Sequence, residues 1–334
     1  MITRFISYLP ALLVGTALAA FSAPGCSRAE DAALKIAAPK FAMRAETLAG
    51  VTYDPAAPLA AVTKPFFDVK NPPTGARTFR VTYRGAENAT VPALLTVPGN
   101  GRGTPKKYPA VVLIHGLSSR KEDTVLLSVA FARRGYATLS IDLPAHGERR
   151  LRDRRTISDL SLEETRRVGA VSVADLRRGV DYLSSRSDID AGRLGCVGIS
   201  LGGIFGGVFA SVEKRIGSVV LWSAGGDWGT LLAESRHPFA LKRREKGDLP
   251  DAATVTKTLR DMDPVTYIGR LAPRPLLLLA GTEDYVVPTA STDALFDAAG
   301  EPKKRVRYPG GHIPDLRAMT VRTLDFFDVT LRRR

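Results

Sequence analysis

The run Arg193-Leu194-Gly195-Cys196-Val197-Gly198-Ile199-Ser200-Leu201-Gly202-Gly203 sets a serine between small residues in a G-x-S-x-G pattern. It reads as a short buried strand, a very tight turn and the start of a helix. Ser200 occupies the point of the turn, where the backbone bends sharply and the hydroxyl is pushed outward. Side chains at Gly198 and Gly202 would collide with the neighbouring strand and helix. The turn also leaves the Leu201 N–H at a helix N-terminus, where it can donate to an oxyanion forming on a carbonyl. A glycine-rich turn with an incidental serine would match the same five residues. The strand-turn-helix flanks favour a nucleophile.

A serine hydroxyl alone attacks poorly, so a base must lie within hydrogen-bond reach and a third group must orient that base. The chain has four histidines. His115 ends an apolar run beside Gly116, and its position suits anchoring a loop better than acting as a base. His146 follows a strand-end loop and His237 lies in an insertion. His312 follows Tyr308-Pro309-Gly310-Gly311, after the last strand and just before the last helix, where the base is wanted. Its carboxylate partner should leave the preceding strand, and Gly281-Thr282-Glu283-Asp284 does so. Asp284 is preferred over Glu283, with Asp227 in reserve. The order Ser200, Asp284, His312 sets its members 84 and then 28 positions apart. The second oxyanion donor is assigned by position to the Leu117 N–H, with Ser118 next. A surface histidine and a helix-capping aspartate are the ordinary alternatives for His312 and Asp284.

These groups need strand ends and helix starts to hold them. Alternation at Phe79, Val81 and Tyr83, then an apolar run over 91–97, suggests an antiparallel pair at a sheet edge, where Pro92 and Pro98 are tolerated. Ala110-Val111-Val112-Leu113-Ile114 is unbroken, as in a strand covered on both faces. Helices over 122–134, 162–185, after Ser200, 289–299 and 316–331 then alternate with strands over 136–141, 194–197, 218–222, 276–280 and 305–308. Gly135 stands where a left-handed helix cap is wanted. Such alternation means right-handed crossovers and a mainly parallel sheet, with active groups at the carboxyl ends of the strands. About fifty residues between Trp222 and Leu276 break the rhythm. They are expected to form a small helical cap, at about 227–270, over those strand ends, or else a surface excursion. Trp228, His237 and Phe239 are its candidates for contact with a pocket.

The chain has 334 residues, 44% hydrophobic and 25% charged, enough for one large domain with additions. Its formal net charge of +14 comes from cations spread along the chain, and no nucleic-acid motif accompanies them. The denser patch Arg149-Arg150-Leu151-Arg152-Asp153-Arg154-Arg155 reads as a solvated loop first and an anion-attracting rim second. At the N-terminus, Arg4 precedes an apolar run over 5–21, broken by Pro10 and followed by small residues. That is the layout of a secretory leader over 1–25, implying export to the periplasm or beyond. Ala23-Pro24-Gly25-Cys26 resembles the bacterial lipoprotein box, in which a lipid on Cys26 would supply the membrane attachment, although Ala23 replaces the usual leucine. Residues 26–76, rich in alanine and proline, are expected to form an arm with one short helix. The main domain is then expected at 77–334. Cys196 lies in a buried strand, so a disulfide to Cys26 is not expected.

Taken together, the motifs resemble the serine α/β-hydrolase fold, and within it the acetyl xylan esterase, dienelactone hydrolase and prolyl oligopeptidase branch. The features carrying the likeness are His115-Gly116 with Lys121-Glu122, Asp142-Leu143-Pro144-Ala145-His146-Gly147, Gly198-Ile199-Ser200-Leu201-Gly202-Gly203, Asp263-Pro264 with Pro273-Arg274-Pro275-Leu276, and Gly281-Thr282-Glu283-Asp284. They span most of the chain, about 79–331. The resemblance implies an eight-stranded, mainly parallel sheet with helices on both faces, and hydrolysis of small-molecule esters through an acyl-enzyme without metal or organic cofactor. Dienelactone hydrolases carry cysteine where Ser200 stands, and haloalkane dehalogenases of this fold carry aspartate. The resemblance leaves the substrate unnamed. A peptidase of the prolyl oligopeptidase kind is the nearest rival, although no propeller repeat is present. A non-catalytic binding protein on the same scaffold is another.

Overall fold

The computed structural model describes residues 46–66, 75–99, 107–313 and 315–331. The leader expected over 1–25 and the lipid site at Cys26 lie outside the described residues.

The described chain begins with a hairpin, β1 (Glu46–Leu48) and β2 (Val51–Tyr53), followed by β3 (Val62–Pro65), β4 (Ala76–Arg84) and β5 (Thr90–Pro98). Alternation then sets in: β6 (Tyr108–Ile114), α1 (Val125–Arg133), β7 (Ala137–Ile141), α2 (Leu162–Ser185), β8 (Ile189–Ile199), α3 (Leu201–Val212) and β9 (Ile216–Trp222). Three helices follow without a strand, α4 (Trp228–Glu234), α5 (Pro238–Lys246) and α6 (Ala252–Leu259). The chain closes with β10 (Leu276–Gly281), α7 (Thr289–Ala298), β11 (Lys303–Tyr308) and α8 (Leu316–Thr330).

One sheet takes the order β11-β10-β9-β8-β6-β7-β5-β4-β3, so it has nine strands among the described residues where eight were expected. Neighbours from β11 to β7 run parallel, and β5, β4 and β3 are antiparallel additions. The extra strand is β3, which pairs Val62–Pro65 with Phe79–Thr82 of β4. In its described part the arm therefore holds strands and no helix. β5 is not at the edge either. It pairs with β4 along its length but with β7 only over Ala93–Thr96, so Pro92 and Pro98 stand outside the doubly paired stretch.

Alternation along the central strands divides the core in two. Val112 and Ile114 point with Leu139, Val219 and Leu221 to the face covered by α2 and α3, where Leu176, Val180, Phe205 and Phe209 meet them. Val111 and Leu113 point with Val197, Val220 and Trp222 to the opposite face, against Phe131 of α1 and Phe327 of α8. Trp222 is fully buried there, and its Nε1–H donates to Thr323 Oγ1 at 2.9 Å. At the start of α2, Ser161 Oγ accepts from the Glu164 N–H while the Glu164 carboxylate accepts from the Ser161 N–H, a reciprocal cap on two otherwise orphaned donors. Gly135, with φ +86°, takes the left-handed position just after α1.

Candidate active site

The parallel strands β6, β8, β9 and β10 end on the same side of the sheet, and the loops leaving those ends carry the candidate groups. Between β8 and α3 the chain turns at Ser200, with φ 55° and ψ −120°, a conformation that non-glycine residues rarely hold. The Ser200 N–H donates to the Trp222 carbonyl at 2.8 Å, and its own carbonyl accepts from Gly203 and Ile204 at the start of α3. The tightness has a steric basis. A Cβ on Gly198 would meet the Gly202 carbonyl oxygen at 2.4 Å, and one on Gly202 would meet the carbonyls of His115 and Ile114 at 2.3 and 2.4 Å.

Ser200, Asp284 and His312, 84 and 28 positions apart in that order, come together. Ser200 Oγ lies 2.9 Å from His312 Nε2, and His312 Nδ1 lies 2.8 Å from Asp284 Oδ2. The ionised carboxylate can only accept, so it selects the tautomer with hydrogen on Nδ1 and leaves Nε2 to accept the Ser200 hydroxyl proton. Asp284 is buried, and its Oδ1 accepts from the Val286 and Val287 N–H groups, each at 2.9 Å. The alternatives lie elsewhere. Glu283 is exposed, while the Asp227 carboxylate caps α4 through Thr230. Ser223, which the sequence reading did not single out, donates through Oγ to the His312 carbonyl. It sits at the carboxyl end of β9 with φ +47°, the position that strand-end logic singles out in a parallel sheet.

The loop after β6 passes beside the serine. A Cβ on Gly116 would stand 3.4 Å from that of Ser200, and Leu117, next along, lines both cavities at Ser200. Leu201 begins α3, so its N–H has no acceptor within the helix. Both residues assigned as oxyanion donors thus line the cavity at Ser200. His115 lines the second cavity at Ser200 and His312 but has no hydrogen bond to either among those described. It is buried, its Nε2 accepts from the Leu143 N–H at 3.2 Å and its Nδ1 lies 2.9 Å from the Gly116 carbonyl. One imidazole therefore ties the β6 loop to the β7 loop, and burial holds its pKa down at about 4. His146 packs edge-on against it at 5.0 Å, and burial lowers its pKa too.

A salt cluster braces the same corner. Lys121 is buried, its Nζ lies 2.7 Å from Asp142 Oδ2 and 2.6 Å from Glu148 Oε1, and its N–H donates to Asp142 Oδ1 at 2.9 Å. Burial alone would raise the Asp142 pKa, but these bonds and the Glu148 N–H at 2.9 Å outweigh it and keep the carboxyl ionised.

Two cavities meet at Ser200 and His312. One, of about 180 Å³, is walled by apolar groups including Ile157, Leu162, Leu201 and Ile204 of the main domain and Trp228, Leu231 and Phe239 of the helical insertion. His237 lines it too. Its Nδ1 accepts from the Phe239 N–H at 3.3 Å, and burial together with nearby His312 lowers its pKa. Ile157, Leu162 and Val286 of this wall were not legible as pocket residues, because only the tertiary fold brings α2, α4 and α5 together. The second cavity, of about 220 Å³, shares Leu117, Ser200 and His312 with the first and has Ser119, Asp123 and Ile313 in its wall.

Comparison with known proteins agrees with this architecture. The prolyl oligopeptidase family matches residues 158–309. The putative esterase YitV of Bacillus subtilis is 25% identical over 254 residues, covering 68% of this chain and 91% of that protein. The acetyl xylan esterase of Paenibacillus sp. R4 superposes with a TM-score of 0.70 at 21% identity, over 82% of this chain and 90% of that one. A puromycin-hydrolyzing peptidase of Mycobacterium tuberculosis does so with a TM-score of 0.64 at 21% identity, over 79% of this chain and 41% of that one.

Proposed function

We propose that this chain, which has the α/β-hydrolase fold and resembles both the acetyl xylan esterases and the prolyl oligopeptidase family, is an exported serine carboxylesterase for small or medium acyl esters. The observation that carries the reading is the hydrogen-bonded series Ser200–His312–Asp284, with steps of 2.9 and 2.8 Å, opening on an apolar cavity. Ser200 Oγ attacks the ester carbonyl carbon as His312 Nε2 takes its proton. The carbonyl oxygen, now carrying the negative charge, receives the N–H groups of Leu117 and Leu201. His312 returns the proton to the departing alcohol, leaving the acyl group on Ser200. Water, deprotonated by His312, attacks that acyl group and frees the acid. Asp284 keeps the imidazole oriented and stabilises it while charged, and the Val286 and Val287 N–H groups keep Asp284 from turning. The leader-like segment over 1–25 supports export.

The test is Ser200→Ala in the purified full chain. Turnover of a chromogenic acetyl ester should fall by about 10⁴-fold or more, with the circular dichroism spectrum unchanged. Labelling by a fluorophosphonate probe should disappear with it. Undiminished hydrolysis by the variant removes the proposal. The family match over 158–309 favours amide hydrolysis as a second reading. An anilide of the same acyl group separates the two: the esterase reading expects no enzymic turnover of it, and appreciable turnover favours the peptidase.

A further inference from the structure

The apolar cavity beside Ser200 carries a cation for which the reaction above has no use. Arg243, on α5, lines it together with Ser158 and Thr165 and is half-buried. Its partners are neutral: Nη1–H donates to the Leu160 carbonyl and Nη2–H to the Asp248 carbonyl, each at 3.2 Å. Two nearby acids are engaged elsewhere, Asp159 with the Thr156 N–H and Glu164 with Arg155 and the Ser161 N–H, and Asp248 meets Arg243 through its carbonyl. The guanidinium fork keeps further N–H donors, and its charge, for a ligand. Arg243 also borders a polar cleft of about 490 Å³ that holds Lys242 and Lys246 together with Asp159, Glu164 and Asp248. Arg150, Arg152 and Arg154 are exposed on the loop that leads to Ile157 and Ser158 in the cavity wall. The loop side of the approach is thus basic, the cleft balances its three cations with three acids, and within the mostly apolar wall Arg243 is the one arginine or lysine among the described lining residues.

Which half of an ester enters follows from the two-step chemistry. The alcohol must leave and water must arrive while the acyl group stays on Ser200. The second cavity is the more open to solvent of the two and offers that route, so the more enclosed apolar cavity is assigned the acyl group. A dry engineered cavity of about 150 Å³ holds one benzene ring. At about 180 Å³ this one suits an aryl ring or a chain of roughly six carbons.

We propose that the preferred acyl group is an apolar stem of that size ending in a carboxylate, which Arg243 binds. The substrates are then monoesters of medium-chain or aromatic dicarboxylic acids, and Arg243 is the specificity-determining residue. This rests on the serine esterase reading. Ser200 Oγ bonds to the acyl carbon as the bond from that carbon to the alcohol oxygen breaks, the alcohol takes the proton from His312, and water, giving its proton through His312 back to Oγ, then displaces Oγ to release the dicarboxylate.

The experiment compares nitrophenyl hexanoate with nitrophenyl hydrogen adipate, which differ in the terminal carboxylate, on the purified full chain and on Arg243→Gln and Arg243→Lys. The unaltered chain should favour the adipate in kcat/KM. Arg243→Gln should shrink the adipate-to-hexanoate ratio roughly tenfold or more, chiefly through the KM of the adipate. Arg243→Lys should retain part of the preference. The ratio should also fall as salt rises. If Arg243→Gln does not fold, Arg243→Lys and the salt series still decide. A preference for hexanoate, or a ratio indifferent to both Arg243 and salt, overturns the proposal. Hydrolysis that survives Ser200→Ala is a different result, because it removes the esterase reading underneath.

Discussion

His115 shows how one side chain can matter to the site without touching a substrate. Its neutral imidazole joins the Leu143 N–H to the Gly116 carbonyl, and burial lowers its pKa to about 4. An unfolded chain binds a proton at this histidine below about pH 6.5, whereas the folded chain resists until about pH 4. The stability it supplies is therefore complete above pH 6.5 and is lost as pH falls toward 4, by about 3 kcal/mol at most. Chemical denaturation of the unaltered chain and His115→Gln across that window should give a shallower slope for the variant. Equal slopes would mean that this histidine is not buried neutral. At this scale the sequence was most legible where chemistry and chain geometry coincide. Ser200, Asp284 and His312 each follow a strand in the required order, and the structure places their side chains in contact. Ser223 escaped notice, and Arg243 stood out only as part of the charged run 242–246, because neither lies in a motif that marks a site. Their contacts depend on strands and helices far away in sequence.

Among the elements, the helical insertion has the clearest consequence for substrate. Trp228 is buried in the wall of the apolar cavity, its ring 6.5 Å from that of Phe205 and its Nε1–H donating to the Met262 carbonyl at 3.1 Å. Trp228→Ala should cost about 3–5 kcal/mol and enlarge the cavity. In a series of acyl esters of graded length, the optimum should move to longer chains. An unmoved optimum would place the acyl group elsewhere. The long helix α2 was readable to its ends, because a reciprocal Ser161–Glu164 cap starts a strongly periodic segment. The hairpin and β3 were not. Their strands have three or four residues each, too few to establish a period, and every residue of β3 is exposed, so no apolar alternation marks it.

Over the whole molecule, the surplus of positive charge proves partly internal. Lys121, Arg177, Arg178 and Arg274 are all buried, although composition alone suggests a solvated surface. Arg274 donates to the carbonyls of Ala210, Glu213 and Ile216, and burial lowers its pKa to about 10. Arg177 pairs with Glu46 at 2.9 Å and lies over the Tyr53 ring, while Tyr53 Oη–H donates to Asp181, so α2 holds the N-terminal hairpin by charge as well as by packing. The Lys121–Asp142 pair allows a quantitative test. Lys121→Met alone leaves a buried carboxylate uncompensated and should cost about 3–5 kcal/mol, whereas Lys121→Met with Asp142→Leu should recover much of it. Denaturant midpoints of the two variants read the difference. A double variant no better than the single one would show that Asp142 is held chiefly by its main-chain N–H partners.

The borders of the nine-stranded sheet bear on how the protein keeps to itself. One margin is β3, Val62-Thr63-Lys64-Pro65, and the other is β11, Lys303-Lys304-Arg305-Val306-Arg307-Tyr308. A stranger's strand arriving at the first finds a proline with no hydrogen to offer and an ammonium to desolvate; at the second it finds basic side chains in nearly every place. Two copies meeting margin to margin would set like charges against each other. Crowded solutions should therefore be safer for this fold than the length of its sheet alone suggests.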